Sequence, residues 1–241
     1  MSHRTLVGSL LAGAMFLACT EGTGPAFDGE VAAVPDGALH HVRWAASDTP
    51  QRFTAVGSVR DAGILLAVSS DVSAGSGGYE LDTYKVAFWA VRGEDRYVQI
   101  NYLKEVAGKV VTSPYLRFEV PAWSLDEAPD GREYERGDSV LITIAVDPTD
   151  MLAHYEPSGL RFDEDVPAVL QVWYGGAGDD LDGDGDVDEK DAYIESELLG
   201  VWLQQSWGDS WYKLYAYQSL YEKWFRVRLR HFSGYAVSWQ E

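Results

Sequence analysis

Between Asp179 and Asp191 the chain sets seven Asp and one Glu against a single Lys. Such a run repels itself unless a cation sits within it. Over the twelve residues Asp180 to Asp191, carboxylates stand at Asp180, Asp182, Asp184, Asp186, Asp188 and Asp191, with Gly185 at the sixth place and Val187 at the eighth. Calcium takes six to eight hard oxygen ligands at about 2.4 Å. A chain coiling round a point offers side-chain oxygens at alternate residues only if one turn residue can adopt positive φ, which Gly185 supplies. The spacing therefore assigns calcium to this loop, with Asp180, Asp182 and Asp184 as direct ligands. The bland alternative is a solvated acidic loop.

This pattern resembles the calcium loop of EF hands and dockerins, with Asp191 in place of the usual Glu as in the dockerin version; the resemblance implies that Asp186 ligates through its backbone carbonyl, Asp188 through water, and Asp191 as the last ligand. The flanks differ. Val169 to Tyr174 reads as a strand rather than an entering helix, and Glu189 to Leu199 allows only a short exiting one. The loop is also single, whereas dockerins pair two, so the expectation is a structural clip inside a β domain.

Two other places could carry chemistry. The only Cys of the chain, Cys19, follows Phe16-Leu17-Ala18 at the end of the apolar run Leu6 to Leu17. That run is too short to span a bilayer and suits a signal peptide. The ending resembles a bacterial lipobox, with Phe where Leu is usual. The resemblance implies a signal peptide over 1–18, a lipidated Cys19, and a Gly- and Thr-containing tether over 19–30. Near the other end stands His231-Phe232-Ser233, a base two residues before a nucleophile. His40-His41 places its rings on opposite sides of a strand, which disfavours a shared metal. Nucleophile-elbow, P-loop and dinucleotide motifs do not occur, and no two carboxylates are singled out as a glycosidase pair.

The elements that must position these groups read as strands. From Val31 onward, short alternating runs are broken by turn residues, and no stretch holds a helical period over three turns. Tyr84 to Val91 and Arg96 to Leu103 flank Arg92-Gly93-Glu94-Asp95 and read as a β-hairpin. Leu116 to Val120, Ser139 to Val146, Ala168 to Trp173, Lys213 to Tyr217 and Trp224 to Arg230 continue the series. Ser73 to Gly78 is a flexible break. The fold class expected is all-β, a β-sandwich with the calcium loop and a short helix inserted between strands.

Composition narrows the functions. The 241 residues carry 38 acids, 19 bases and a net charge of −19, which opposes nucleic-acid binding and leaves the lipid anchor as the only membrane contact. One Cys excludes an internal disulfide framework and thiolate-built metal sites. Nine Trp and fourteen Tyr are many. Trp202, Trp207, Trp211, Tyr212, Tyr215, Tyr217, Tyr221 and Trp224 cluster after the acidic loop. They either fill the core or stack on sugar rings as a carbohydrate-binding module.

Pro157-Ser158-Gly159-Leu160-Arg161-Phe162, Val166-Pro167-Ala168-Val169-Leu170, the upstream Phe118-Glu119-Val120-Pro121 and the closing His231-Phe232-Ser233-Gly234-Tyr235-Ala236-Val237 together resemble the ZU5 domain. The resemblance covers roughly Tyr115 to Trp239 and implies a β-sandwich over 111–241, with 180–191 in an insertion and 31–110 as a preceding β region. It also implies self-cleavage of the kind found in ZU5-UPA proteins and adhesion-receptor autoproteolysis domains. Ser233 would attack the Phe232 carbonyl with His231 as base, in a turn that Gly234 permits. The combined expectation is an exported, lipid-anchored, calcium-binding module of the bacterial cell envelope that engages a protein or glycan at the cell surface. No turnover enzyme is expected; a glycan-binding module and a self-cleaving domain stand as alternatives.

Overall fold

The computed structural model describes residues 33–35, 37–50, 52–57, 79–80, 85–206 and 208–241. Cys19, the apolar leader, the tether, Ser73 to Gly78 and Trp207 lie outside the described residues.

Sixteen strands are described, in chain order β1 (His40–His41), β2 (Arg52–Gly57), β3 (Tyr79–Glu80), β4 (Lys85–Val91), β5 (Arg96–Val106), β6 (Lys109–Val120), β7 (Leu125–Glu127) and β8 (Ser139–Val146). Then follow β9 (Leu152–Glu156), β10 (Arg161–Phe162), β11 (Ala168–Trp173), β12 (Gly200–Gln204), β13 (Trp211–Lys213), β14 (Ala216–Ser219), β15 (Trp224–Leu229) and β16 (Gly234–Trp239). One sheet runs β13-β12-β16-β9-β8-β4 with β1 added beside β16, and the other runs β14-β15-β11-β6-β5-β2-β3. All pairs are antiparallel, and β7 with β10 forms a small ribbon.

Alternation explains which face is buried. In the second sheet Phe225, Val172, Leu116 and Ile100 lie in one lateral row, and Val227, Leu170, Phe118 and Val98 in the next but one, all buried. These rows face Tyr155, Val201 and Tyr235 of the first sheet, which line one small apolar void together with Leu116, Leu170 and Val172. The two sheets thus pack as a sandwich. The first sheet has a second, smaller core on its outer side. There Val34 and Leu39 of the leading segment cover Trp202, Ala236 and Leu152, with Trp211 alongside.

Val31 to Glu241 forms one compact unit. The strands on either side of residue 110 share both sheets, and residue 110 itself lies within β6 opposite Glu105 of β5.

Two sequence expectations are corrected. The runs around Arg92 to Asp95 do not pair with each other. β4 pairs β8 in the first sheet while β5 pairs β6 and β2 in the second. The connection is an arch between sheets, and its backbone groups bond other loops instead of closing a ladder. Arg92 N–H donates to the Asp138 carbonyl at 2.9 Å, Gly93 N–H to the Ala122 carbonyl, and Gly137 N–H to the Arg92 carbonyl at 2.9 Å. The hairpin that β5 does make is with β6, through Ala107-Gly108, both at positive φ. Likewise the single strand expected over Lys213 to Tyr217 is broken at Leu214-Tyr215. β13 ends in the first sheet and β14 begins in the second, because the chain crosses the edge of the sandwich there.

Candidate functional site

The acidic loop lies on the crossover from β11, in the second sheet, to β12, in the first. Its side chains fold inward onto its own backbone. Asp180 accepts from Gly183 N–H at 2.8 Å and from Gly185 N–H at 3.1 Å, Asp182 from Asp184 N–H at 3.2 Å, and Asp184 from Asp186 N–H at 3.0 Å. Gly183 and Gly185 take φ of 75° and 96°, so the coil needs glycine at both positions. As a result, oxygens of Asp180, Asp182 and Asp184 lie within 4.8 Å of one another, a cluster that could hold a metal ion. The donors are all carboxylate oxygens, the set a hard cation prefers.

The remaining expected ligands stand differently. Asp188 caps helix α1 (Glu189–Tyr193), accepting from Lys190 N–H at 2.7 Å. Asp191 is buried and ties the loop to that helix. One of its oxygens accepts from Leu181 N–H at 2.7 Å and Asp182 N–H at 3.3 Å, and the other from Asp188 N–H at 3.0 Å. Burial would raise its pKa, but these three donors outweigh it and hold the carboxyl below its usual value. Asp186 is exposed. The single Lys of the acidic run, Lys190, sets its ammonium 2.7 Å from Asp182 and supplies the loop with positive charge. The short exiting helix is present and runs on into one π-helical turn, Ile194–Leu198.

The residues of the terminal motif meet in one aromatic knot. Phe232 packs at ring distances of 5.3 Å from Phe118, 5.0 Å from Phe162 and 5.4 Å from Tyr155. Phe232 N–H donates to the Leu160 carbonyl at 2.9 Å, and the Tyr235 hydroxyl donates to the His231 carbonyl at 2.5 Å. Burial keeps the His231 ring below its ordinary pKa, partly offset by the Phe232 backbone carbonyl, which accepts from the ring. Ser233 is buried, and among the described residues its Oγ has no hydrogen-bond partner within bonding geometry. Gly234 does not form the turn expected of it. It is the first residue of β16, paired with His154 and Gln204, and a Cβ there would stand 3.3 Å from His154 Nδ1. Glycine is needed for close approach of that ring.

His40 and His41 do face opposite neighbours. His40 stacks on Trp239 at 4.2 Å, while His41 meets the edge of Trp211 and bonds Ser238 Oγ at 2.8 Å. The aromatic cluster divides. Trp202 and Trp211 are core, whereas Tyr215, Tyr217 and Tyr221 are 98%, 67% and 97% exposed. Tyr217 lies 5.4 Å from the half-buried Trp224 at an interplanar angle of 43°, so these two rings are tilted rather than coplanar.

The class defined by fold and site is an all-β antiparallel sandwich with an acidic loop fit for a metal ion. No protein-family model, curated protein or solved structure matches the chain.

Proposed function

We propose that this protein is a lipid-anchored surface interaction module whose acidic loop binds calcium as a structural clip. One observation carries the calcium reading: the convergence of Asp180, Asp182 and Asp184 within 4.8 Å on a loop coiled by two positive-φ glycines. The loop links the two sheets, and Asp191 fastens its start to α1. A cation bound there would hold the crossover in one conformation without needing a moving part. Among the described residues α1 is a five-residue helix that runs on into a single π-helical turn, which suits a static clip. Calcium titrated calorimetrically into metal-free protein should give one saturable site, and Asp180→Ala with Asp184→Ala should remove it. Equal heats from both proteins would refute the assignment. The anchor rests on the sequence around Cys19, and the ZU5 resemblance on the motif residues gathered at Phe232.

A second reading, self-cleavage between Phe232 and Ser233, is favoured by the burial of Ser233, whose Oγ has no hydrogen-bond partner among the described residues, directly after Phe232 and two residues from His231. In that reading Oγ adds to the Phe232 carbonyl carbon while His231 takes its proton. The C–N bond then breaks with return of the proton to the amine, and water hydrolyses the ester. Denaturing mass spectrometry should then show release of Ser233 to Glu241, accelerated by hydroxylamine and absent in Ser233→Ala. An intact chain after prolonged incubation with hydroxylamine would refute it.

A further inference from the structure

The solvent side of the second sheet is built from planar polar groups and rings. Its outward row runs Tyr217, Arg226, Gln171, Arg117, Gln99 across β14, β15, β11, β6 and β5, and the next outward row runs Arg228, Val169, Glu119, Tyr97. These groups are already held in place. Glu119 accepts from Arg117 at 2.6 Å and from Arg226 at 3.1 Å, Arg226 reaches Gln171 at 3.4 Å, and Gln99 donates to Asn101 at 2.8 Å. The Arg117 guanidinium lies 4.0 Å over the Tyr97 ring, and the exposed Tyr217 ring stands beside the half-buried Trp224, tilted by 43°, at the far margin.

The charge of this face is opposite to that of the molecule. The exposed positions of β15, Arg226 and Arg228, and Arg230 just past its end, are all arginine. Within the two rows Arg117, Arg226 and Arg228 are set against Glu119 alone, on a chain of net charge −19. Among the described residues Arg228 has no acid partner. Alternate strand positions are about 6.8 Å apart, so the arginines form a ruler of cations along β15. Guanidinium forks match carboxylates in a bidentate way, amides such as Gln171 and Gln99 suit hydroxyls, and rings at the margin suit the flat faces of sugars. At physiological salt the Debye length is about 8 Å, so the acids elsewhere on the molecule are screened while contact pairs on this face persist.

We propose that the outer face of the second sheet binds a carboxylate-bearing polysaccharide, a uronate-type chain laid across β15 and β11. This rests on the reading of the protein as a surface interaction module and names that module's ligand class. It is independent of calcium, because the acidic loop lies on the crossover and contributes nothing to either row.

The test is titration calorimetry of the calcium-loaded mature protein with short oligogalacturonates at physiological salt, alongside neutral dextran, single-stranded DNA and polyglutamate. Saturable binding to oligogalacturonate alone is expected. Arg228→Gln should weaken it about tenfold, the loss of one charged hydrogen bond, and Arg226→Gln with Arg228→Gln should abolish it at an unchanged melting temperature. Tyr217→Ala should weaken it, and Arg132→Gln, off this face, should not. No binding to oligogalacturonate, equal binding of DNA or polyglutamate, or full affinity in the double arginine variant would each overturn the proposal. The calcium-dependent melting shift, read on the same sample, separates this failure from failure of the calcium assignment.

Discussion

Burial holds the pKa of His154 and of His231 below the ordinary imidazole value, in His154 against the opposing pull of Asp147 and Glu156. Both have folded pKa values depressed below the usual 6.5, so as pH falls through that value the unfolded chain takes up protons that the folded one does not. The contribution of these two groups to stability is therefore full above about pH 6.5 and is lost below it. Urea midpoints should drop between neutral and mildly acid buffer, and His154→Gln with His231→Gln should flatten that part of the decline. A wild-type midpoint that holds or rises on acidification would contradict this. The same residue scale shows why spacing alone located Asp180, Asp182 and Asp184. A side chain reaches only its own neighbourhood, so a local pattern fixes a local cluster. Asp191 and Lys190 were harder to place, because whether a carboxylate serves a cation or three backbone amides depends on how α1 folds back over the loop.

At the scale of elements, the turn Gly175–Ala177 at the end of β11 shows how tightly one connection is fitted. A Cβ on Gly176 would lie 2.5 Å from Trp44 Cζ3 and 2.7 Å from Cε3. That ring is wedged against Phe53, Tyr102 and Tyr115 at 4.8 to 6.0 Å and cannot yield freely. Gly176→Ala should cost about 1–3 kcal/mol, the range for overpacking, read as a lowered denaturant midpoint. A substitution tolerated without loss would show that Trp44 has room to move. Strands were legible where alternation is strict: β8 and β11 fall on Ser139–Val146 and Ala168–Trp173, as the pattern of apolar residues places them. Partnership was not legible. The four residues from Arg92 to Asp95 have the length and composition of a hairpin turn, yet hydrogen bonds to Asp138 and Ala122, distant in sequence, make them an arch between sheets. Period two tells which side of a strand is apolar and says nothing about which sheet it joins.

For the whole molecule, the proposed lipid anchor rests on the sequence around Cys19. Cys19→Ser should move the protein from the membrane fraction to the soluble exported fraction, and unchanged retention in membranes would remove the anchor from the account. The central claim is that the acidic crossover is a calcium clip joining the two sheets. Scanning calorimetry of the mature protein in EDTA and in calcium at about 100 times the dissociation constant tests it most directly. Because the ion binds the folded loop in preference to the unfolded chain, the account predicts about 2.7 kcal/mol of added stability, or a rise in midpoint of roughly 5–10 °C. Asp180→Ala with Asp184→Ala should melt at one temperature in both buffers. The same midpoint for the wild-type protein with calcium and with EDTA would contradict the account.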